Sequence, residues 1–307
     1  MLTIGEIVAQ FANKNIQLLR SYKKNTSIIG VKSILEAGPN HLTFCSTKAR
    51  HPDHLLDNTN AGMIIVDQGI PVNISLLEEA GVQVIVNSQN ARLDFIRIAN
   101  LLFAQPNPQG IHPSAIISPL AKIPEDVSIG PLCVIGKAEI GEGCVIRSGV
   151  HILDSVILGR NVFIQSGVVI GSESLGYERN EAGSLENFPQ IGGVIIDDNV
   201  AIGPNTAIDR GSLDNTHIGA GTKIGGLVRI GHNVQVGKHV ILVTQNFLGG
   251  SVTVGDQAWI APHAVIRDQV MIGAGATVGM GAVVTKDVPD NTTVIGIPAR
   301  EFVKVSE

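Results

Sequence analysis

The chain has 307 residues, a formal net charge of −5 and 44% hydrophobic residues, yet only 4% aromatics. That length suits two ordinary domains or one long repeat array, and the acid excess leaves no basic footprint for nucleic acid. Three scattered cysteines, Cys45, Cys133 and Cys144, give neither a disulfide framework nor a CxxC metal signature, and fit a reducing cytoplasm.

No apolar run reaches the roughly 18 residues of a membrane span. The opening segment "MLTIGEIVAQFANKN" is amphipathic and lacks the long apolar core of a signal peptide. Within it "IGEIVAQFA" reads as a short helix. "HLTFCS", "AGMIIVD" and "VQVIVNS" then read as strands, and "ARLDFIRIANLLFA" spaces its apolar residues as a helix. Residues 1–104 are therefore expected to form a small α/β domain. "QPNPQG", residues 105–110, is the expected linker.

From residue 111 the pattern changes. An aliphatic residue recurs every six positions through Ile117, Ile123, Ile129 and Ile135, then, after a one-residue slip, from Ile140 to Ile170. The period breaks at residues 171–190, resumes at Ile196, Ile202 and Ile208, breaks at "DRGSLDNT", and runs unbroken from Ile218 to Val284. Six is the period of neither a helix nor a flat strand. It is the signature of a parallel β-helix, in which three hexads make one coil and coils stack about 4.8 Å apart. A core without rings suits so narrow an interior. The fold expected is mainly β: a β-helix over residues 111–290, with a tail at 291–307. Regular coils offer flat faces and no cleft, so the loop 171–190 is the element expected to wall off a pocket. Flat faces also pair readily around a three-fold axis.

Among the histidines, His232 in "RIGHNVQVG" stands two positions after an inward aliphatic. Gly250 lies 18 positions later, one full coil, and is expected to stack on it. A rigidly held imidazole beside a backbone N–H without a side chain is a base next to an oxyanion donor. His239 and His263 share a different phase and lie on different faces, so no metal site is expected.

At these residues the chain resembles the UDP-3-O-(3-hydroxyacyl)glucosamine N-acyltransferases of lipid A synthesis. The resemblance rests on Gly171 and the Gly176-Tyr177 pair of the insertion, the return Phe188-Pro-Gln-Ile-Gly, "IDRGSLD" and "HN", in that order, and on "ILEAGPNHLTF" in the N-terminal zone. It implies a cytoplasmic homotrimer with a left-handed β-helix. It also implies transfer of a 3-hydroxyacyl group from the phosphopantetheine thioester of acyl carrier protein to a UDP-linked amino sugar, with no metal or bound cofactor. His232 would be the general base and the Gly250 N–H the oxyanion donor. Phe44 would stack on the nucleotide or else pack a strand. Tyr177 would line the sugar pocket or pack its loop. Asn233 would orient the donor or the histidine, or simply hold a corner. Asp209, Arg210 and Asp214 would hold the loop or touch substrate. The sequence departs from the family's pattern at Thr47, Arg50, Gly225 and Gln269, where that pattern has Asn, Tyr, an acid and a second histidine.

The segment "GMGAVVTKDVPDNTTVIGIPAREF" is more like acetyl-CoA-dependent hexapeptide acetyltransferases. A second reading is therefore an acetyl-CoA-dependent N-acetyltransferase of nucleotide amino sugars. Lys286, Arg300 and Lys304 are candidates for the 3′-phosphate of CoA, against an ordinary reading as surface charge. A third reading, from another class, is a non-catalytic β-helix that binds sugar nucleotides.

Overall fold

A computed structural model describes residues 2–9, 17–18, 25–103 and 110–302. The chain divides into two compact units, Met1–Pro106 and Asn107–Glu307.

The first unit is built on a five-stranded sheet in the order Gln17–Leu18, Val84–Ser88, Met63–Asp67, His41–Cys45 and Gly30–Val31. All neighbours are parallel except Gln17–Leu18, which runs antiparallel to Val84–Ser88. Successive side chains of a strand face opposite ways, and here both faces are covered. Met63 and Ile65 pack with Ile98 of the helix Ala91–Phe103 and with Ile4 and Ile7 of the helix Ile4–Ala9. Ile64 and Val66 pack with Leu56 and Leu77, from the helices Pro52–Asp57 and Ile74–Glu79. Burial on both faces explains why "MIIV" is apolar without alternation. At the end of its strand, Asp67 accepts the Ala91 N–H at 2.6 Å and the Thr47 N–H at 2.9 Å. Burial raises the Asp67 carboxyl, but those N–H donors outweigh it and hold the group below its usual range. Thr47 is thereby fixed by the sheet's own carboxylate.

The second unit is a parallel β-helix. Its three sheets hold eleven, nine and six strands, and strands that neighbour in a sheet lie one coil apart in sequence, except Arg300–Glu301, which turns back antiparallel on Thr293–Ile295. In the regular coils the register is 18 residues, as in Ile230 with Leu248 and Leu248 with Ile266. The repeating aliphatics are all inward: Ile202, Ile224, Leu242, Ile260 and Val278 form one buried ladder. Rings are excluded from this interior, and Phe247 and Trp259 point out and are exposed. Corners fall three residues after an inward aliphatic, where the backbone turns left-handed. Asn233, His239, Gln245, Ser251, Gln257, His263 and Gln269 all have φ between 54° and 62°. His239 and His263 are thus corner residues, a position that costs most side chains and suits Asn best.

Both breaks in the period are loops off this frame. The first leaves the strand Val169–Ser172 and forms an antiparallel hairpin, Tyr177–Arg179 with Leu185–Asn187. The second spans residues 211–215. They are laced together: Ile191 and Gly192 N–H both donate to Ser212 O, at 2.7 and 3.2 Å. A Cβ on Gly192 or on Gly211 would collide with Asp214 O, so glycine is required at Gly192 for the approach of the two loops and at Gly211 for the turn of the second loop itself. The C-terminal segment is not a separate tail over its described length. Thr293–Ile295 adds to the sheet beside Thr277–Val278, with Val278 facing Val294, a coil of 16 residues rather than 18. The shortened coil is invisible to a count of six. No helix among the described residues is long and apolar enough to cross a membrane.

Candidate functional site

The two loops and one coil line an open cavity of about 390 Å³. The hairpin contributes Tyr177, Glu178, Phe188 and Gln190, and the second loop Ser212, Leu213 and Asp214. The coil contributes His232 and Asn233. The walls are thus aromatic and aliphatic with acidic edges, over a polar floor. Gln190 is buried, and its Oε1 accepts from the Ser212 hydroxyl at 3.4 Å.

The strand Arg229–Ile230 delivers His232 to the corner. Its Nδ1 lies 3.0 Å from Asn233 Oδ1 and 3.5 Å from Ser212 Oγ. Asn233 Oδ1 also accepts the Ser212 N–H at 3.0 Å. A backbone N–H can only donate, so that contact identifies the oxygen of the amide. Nδ1 therefore carries a proton and donates to Asn233, so that in the neutral ring the lone pair is on Nε2. Asn233 is held in turn by its own N–H, which donates to Thr216 Oγ1 at 2.9 Å. Asn233 is the corner residue and the orienting group at once.

Nε2 rests against Gly250. A Cβ placed on Gly250 would collide with Nε2 and lie 2.6 Å from Cε1. The coil count thus places this glycine correctly. Its carbonyl accepts the Gln269 N–H at 2.9 Å, and Ser251 N–H donates to His232 O at 2.8 Å. The Gly250 N–H itself donates to no acceptor among the described residues. Gln269, standing where the resemblance would put a second histidine, makes this bond with its backbone N–H. Gly225, where the family's pattern has an acid, has no room for one: a Cβ there would lie 2.7 Å from Thr244 N. An imidazole with a free lone pair beside an unpaired N–H can take a proton and steady an oxyanion.

Asp209 and Arg210 are not among the residues that line the cavity, and of the two roles open to them the contacts are those of holding the loop. Asp209 is 1% exposed. Its Oδ1 accepts the Ser172 hydroxyl at 2.8 Å and its Oδ2 accepts from Arg229 Nη2 at 2.5 Å. Burial raises this carboxyl, opposed by the Ser172 hydrogen bond, by Arg229 and by the charge on His232. Arg210 is occupied structurally, with Nη2 donating to Asp154 O at 2.7 Å. Ser172, Gln190, Ser212 and Arg229 are the site residues that sequence reasoning missed.

Lys286 and Arg300 are not among the residues that line the cavity. Phe44 packs its ring on Phe95, centroids 4.7 Å apart, within the first unit. Lys286 is exposed and shares the column of His232, three coils on through Ile230, Leu248, Ile266 and Val284. Arg300, also exposed, lies in the last strand, Arg300–Glu301, and donates to Ala299 O at 3.0 Å. Lys304 lies outside the described residues. Among the described residues no three His, Cys, Asp or Glu side chains gather as a metal site.

Removing the orienting amide should be costly. Asn233→Ala loses the Nδ1 acceptor and puts a β-carbon without hydrogen-bonding capacity at φ 61°. A left-handed non-glycine residue costs about 1 kcal/mol or more. The expected result is a lower melting temperature together with a loss of turnover of about tenfold or more. Unchanged turnover would show that Asn233 does not orient the ring.

Residues 137–172 and 251–286 match the repeat family described as bacterial transferase hexapeptide (six repeats). The UDP-3-O-acylglucosamine N-acyltransferase of Pseudomonas syringae pv. tomato is 32% identical over 243 residues, 71% of this chain and 65% of that protein. The Coxiella burnetii protein of the same name is 34% identical over 235 residues, 70% of this chain and 66% of that one. The matches thus span just under two thirds of those relatives' own length. Among solved structures, the UDP-N-acetylglucosamine acyltransferase of Francisella novicida aligns with a TM-score of 0.57 at 29% identity. That alignment covers 62% of this chain and 68% of that one. The Campylobacter jejuni enzyme of that name also aligns with a TM-score of 0.57, at 25% identity, covering 63% and 74%. By its repeats, its β-helix and these relatives, the chain is a hexapeptide-repeat protein related to the UDP-3-O-acylglucosamine N-acyltransferases.

Proposed function

We propose that the chain is an N-acyltransferase that passes an acyl group from a phosphopantetheine thioester, 3-hydroxyacyl-acyl carrier protein, to the amine of a UDP-linked amino sugar, as in lipid A synthesis. The observation that carries this reading is His232 at the cavity, its Nδ1 bonded to Asn233 and its Nε2 lying against Gly250 with its unpaired N–H. The names of the curated relatives supply the substrate class.

In the mechanism the sugar amine attacks the thioester carbonyl, and His232 Nε2 takes the amine's proton as the C–N bond forms. The carbonyl oxygen becomes an oxyanion, and the Gly250 N–H donates to it. Collapse breaks the C–S bond, and the imidazolium returns its proton to the departing thiolate. Amide and free thiol form in equal amounts. The chain's own groups accomplish this without a metal or a covalent enzyme intermediate. Tyr177, Phe188 and Leu213 wall the acceptor's side of the cavity. The N-terminal unit, with Phe44, is the nucleotide-binding candidate. Lys286 and Arg300 are the candidates for donor phosphate. The chain works as a cytoplasmic homotrimer in this proposal.

The test is a product assay by mass spectrometry, with UDP-3-O-(3-hydroxyacyl)glucosamine as acceptor and two donors in parallel. Amide from the acyl-carrier thioester, with one thiol released per amide, is the expected result. Acetylation from acetyl-CoA alone would replace the donor and favour a sugar-nucleotide N-acetyltransferase. No product from either donor, with nucleotide sugar still bound, would leave a binding module.

A further inference from the structure

His232 has its orienting amide, but the charge that balances its imidazolium must come from elsewhere, because Gly225 has no room for an acid. In the second unit Asp209 is the one buried charged side chain among the described residues. Its place follows from register. Ile208 pairs with Ile230, so Asp209 stacks one coil from Gly231, the residue before His232. Arg229 lies three positions before His232 on the strand that delivers it, and its guanidinium reaches across the coil to Asp209 Oδ2. The arginine side chain is 40% exposed and the carboxylate's 1%, so the pair has one wet and one dry end.

The same carboxylate also ties in the cavity wall. Ser172, which donates to Asp209 Oδ1, ends the strand from which the hairpin departs, and the register slips there between Ile170 and Ser172. Arg210 N–H donates to Ser172 O at 2.9 Å. One buried carboxylate thus joins the root of the hairpin to the strand of the base.

We propose that Asp209 and Arg229 are positioning residues for His232: a paired anion and cation that fix its strand to the hairpin root and set, by their opposed charges, how readily the imidazole holds a proton. This rests on His232 as the base. The other charged groups facing His232 are Glu178 from the hairpin, Asp214 from the second loop and Arg210 one coil away in the same column. Asp268, two coils away in that column, is more distant. Burial of Asp209 makes its charge the least screened of these.

The sign is different for each partner. Asp209→Asn keeps the shape and leaves the Arg229 cation alone, which disfavours the imidazolium. Arg229→Gln leaves Asp209 without its cation, which favours the imidazolium at pH values above those at which burial protonates Asp209. The test follows the His232 Cε1–H resonance by NMR titration and, in parallel, the pH profile of kcat/KM. D209N should move the His232 midpoint and the acid limb down by about half a pH unit, and R229Q should move both up by a similar amount. R229K, which keeps the charge, should titrate like the parent. Because Arg229 is partly solvated, R229Q alone decides the matter if D209N fails to fold. Midpoints that stay together in folded variants would overturn the proposal. Opposite NMR shifts with an unmoved rate profile would instead keep the charge pair and remove His232 as the base.

Discussion

His232→Ala is expected to lower kcat by about 100- to 10,000-fold, the range for loss of a positioned general base. Its melting temperature should stay within a few degrees of the parent. The two outcomes separate because of where the side chain stands. His232 is half-buried at a corner, outside the ladder of aliphatic residues that holds the coils. Its side-chain partners are Asn233 and Ser212, and Asn233 keeps its bonds to the Ser212 N–H and Thr216 without the ring. Surface changes clear of the core usually stay within about 0.5 kcal/mol. A variant that melts like the parent and retains most of its activity would remove the imidazole from the mechanism.

Gly250→Ala is the second large effect, expected at about 100- to 1,000-fold in kcat, the loss typical of a disabled oxyanion donor. The backbone at Gly250 is not in the left-handed region, so alanine is conformationally acceptable there. The new methyl would collide with His232 Nε2. The ring must swing away, and base and donor are lost together. Gly249→Ala is the natural control. A Cβ there would meet backbone, 2.6 Å from Asp268 N, so G249A should unfold the coil at lower temperature. Calorimetry and single-turnover assays on the two neighbours should therefore give opposite patterns: G250A stable and inactive, G249A destabilised. Equal loss of stability in both would mean that the imidazole is packed as firmly as the backbone.

The β-helix was legible because its rule is local: each hexad sends one aliphatic inward, so the period survives in the sequence itself. The stacking of Gly250 on His232 followed from counting alone. In the first unit the three central strands and the helices Ile4–Ala9 and Ala91–Phe103 agree with their sequence patterns. Pro52–Asp57 and Ile74–Glu79 went unread, since six residues are too few turns to show a period. The support of His232 was hidden for a different reason. Ser212 belongs to a stretch where the period fails, so no count places it. Arg229 meets Asp209 across 20 positions, inside a coil lengthened by the second loop. Two roles were open to Asp209 because it sits in a loop motif; its backbone ends the strand Ala207–Asp209 and its side chain is sealed in.

The hairpin has one more consequence. Residues 173–190 leave a frame whose hydrogen bonds already close around them: Val169 N–H donates to Thr206 O, and Ala207 N–H to Val228 O. The coil beneath does not depend on the hairpin's length or composition for its own closure. The base, its orienting amide and the donor N–H are all encoded after residue 231, while the aromatic wall is encoded before 190. In the proposed reaction, acceptor preference and bond-making would thus be written in different stretches of one chain, joined through Ser172, Asp209 and Arg229.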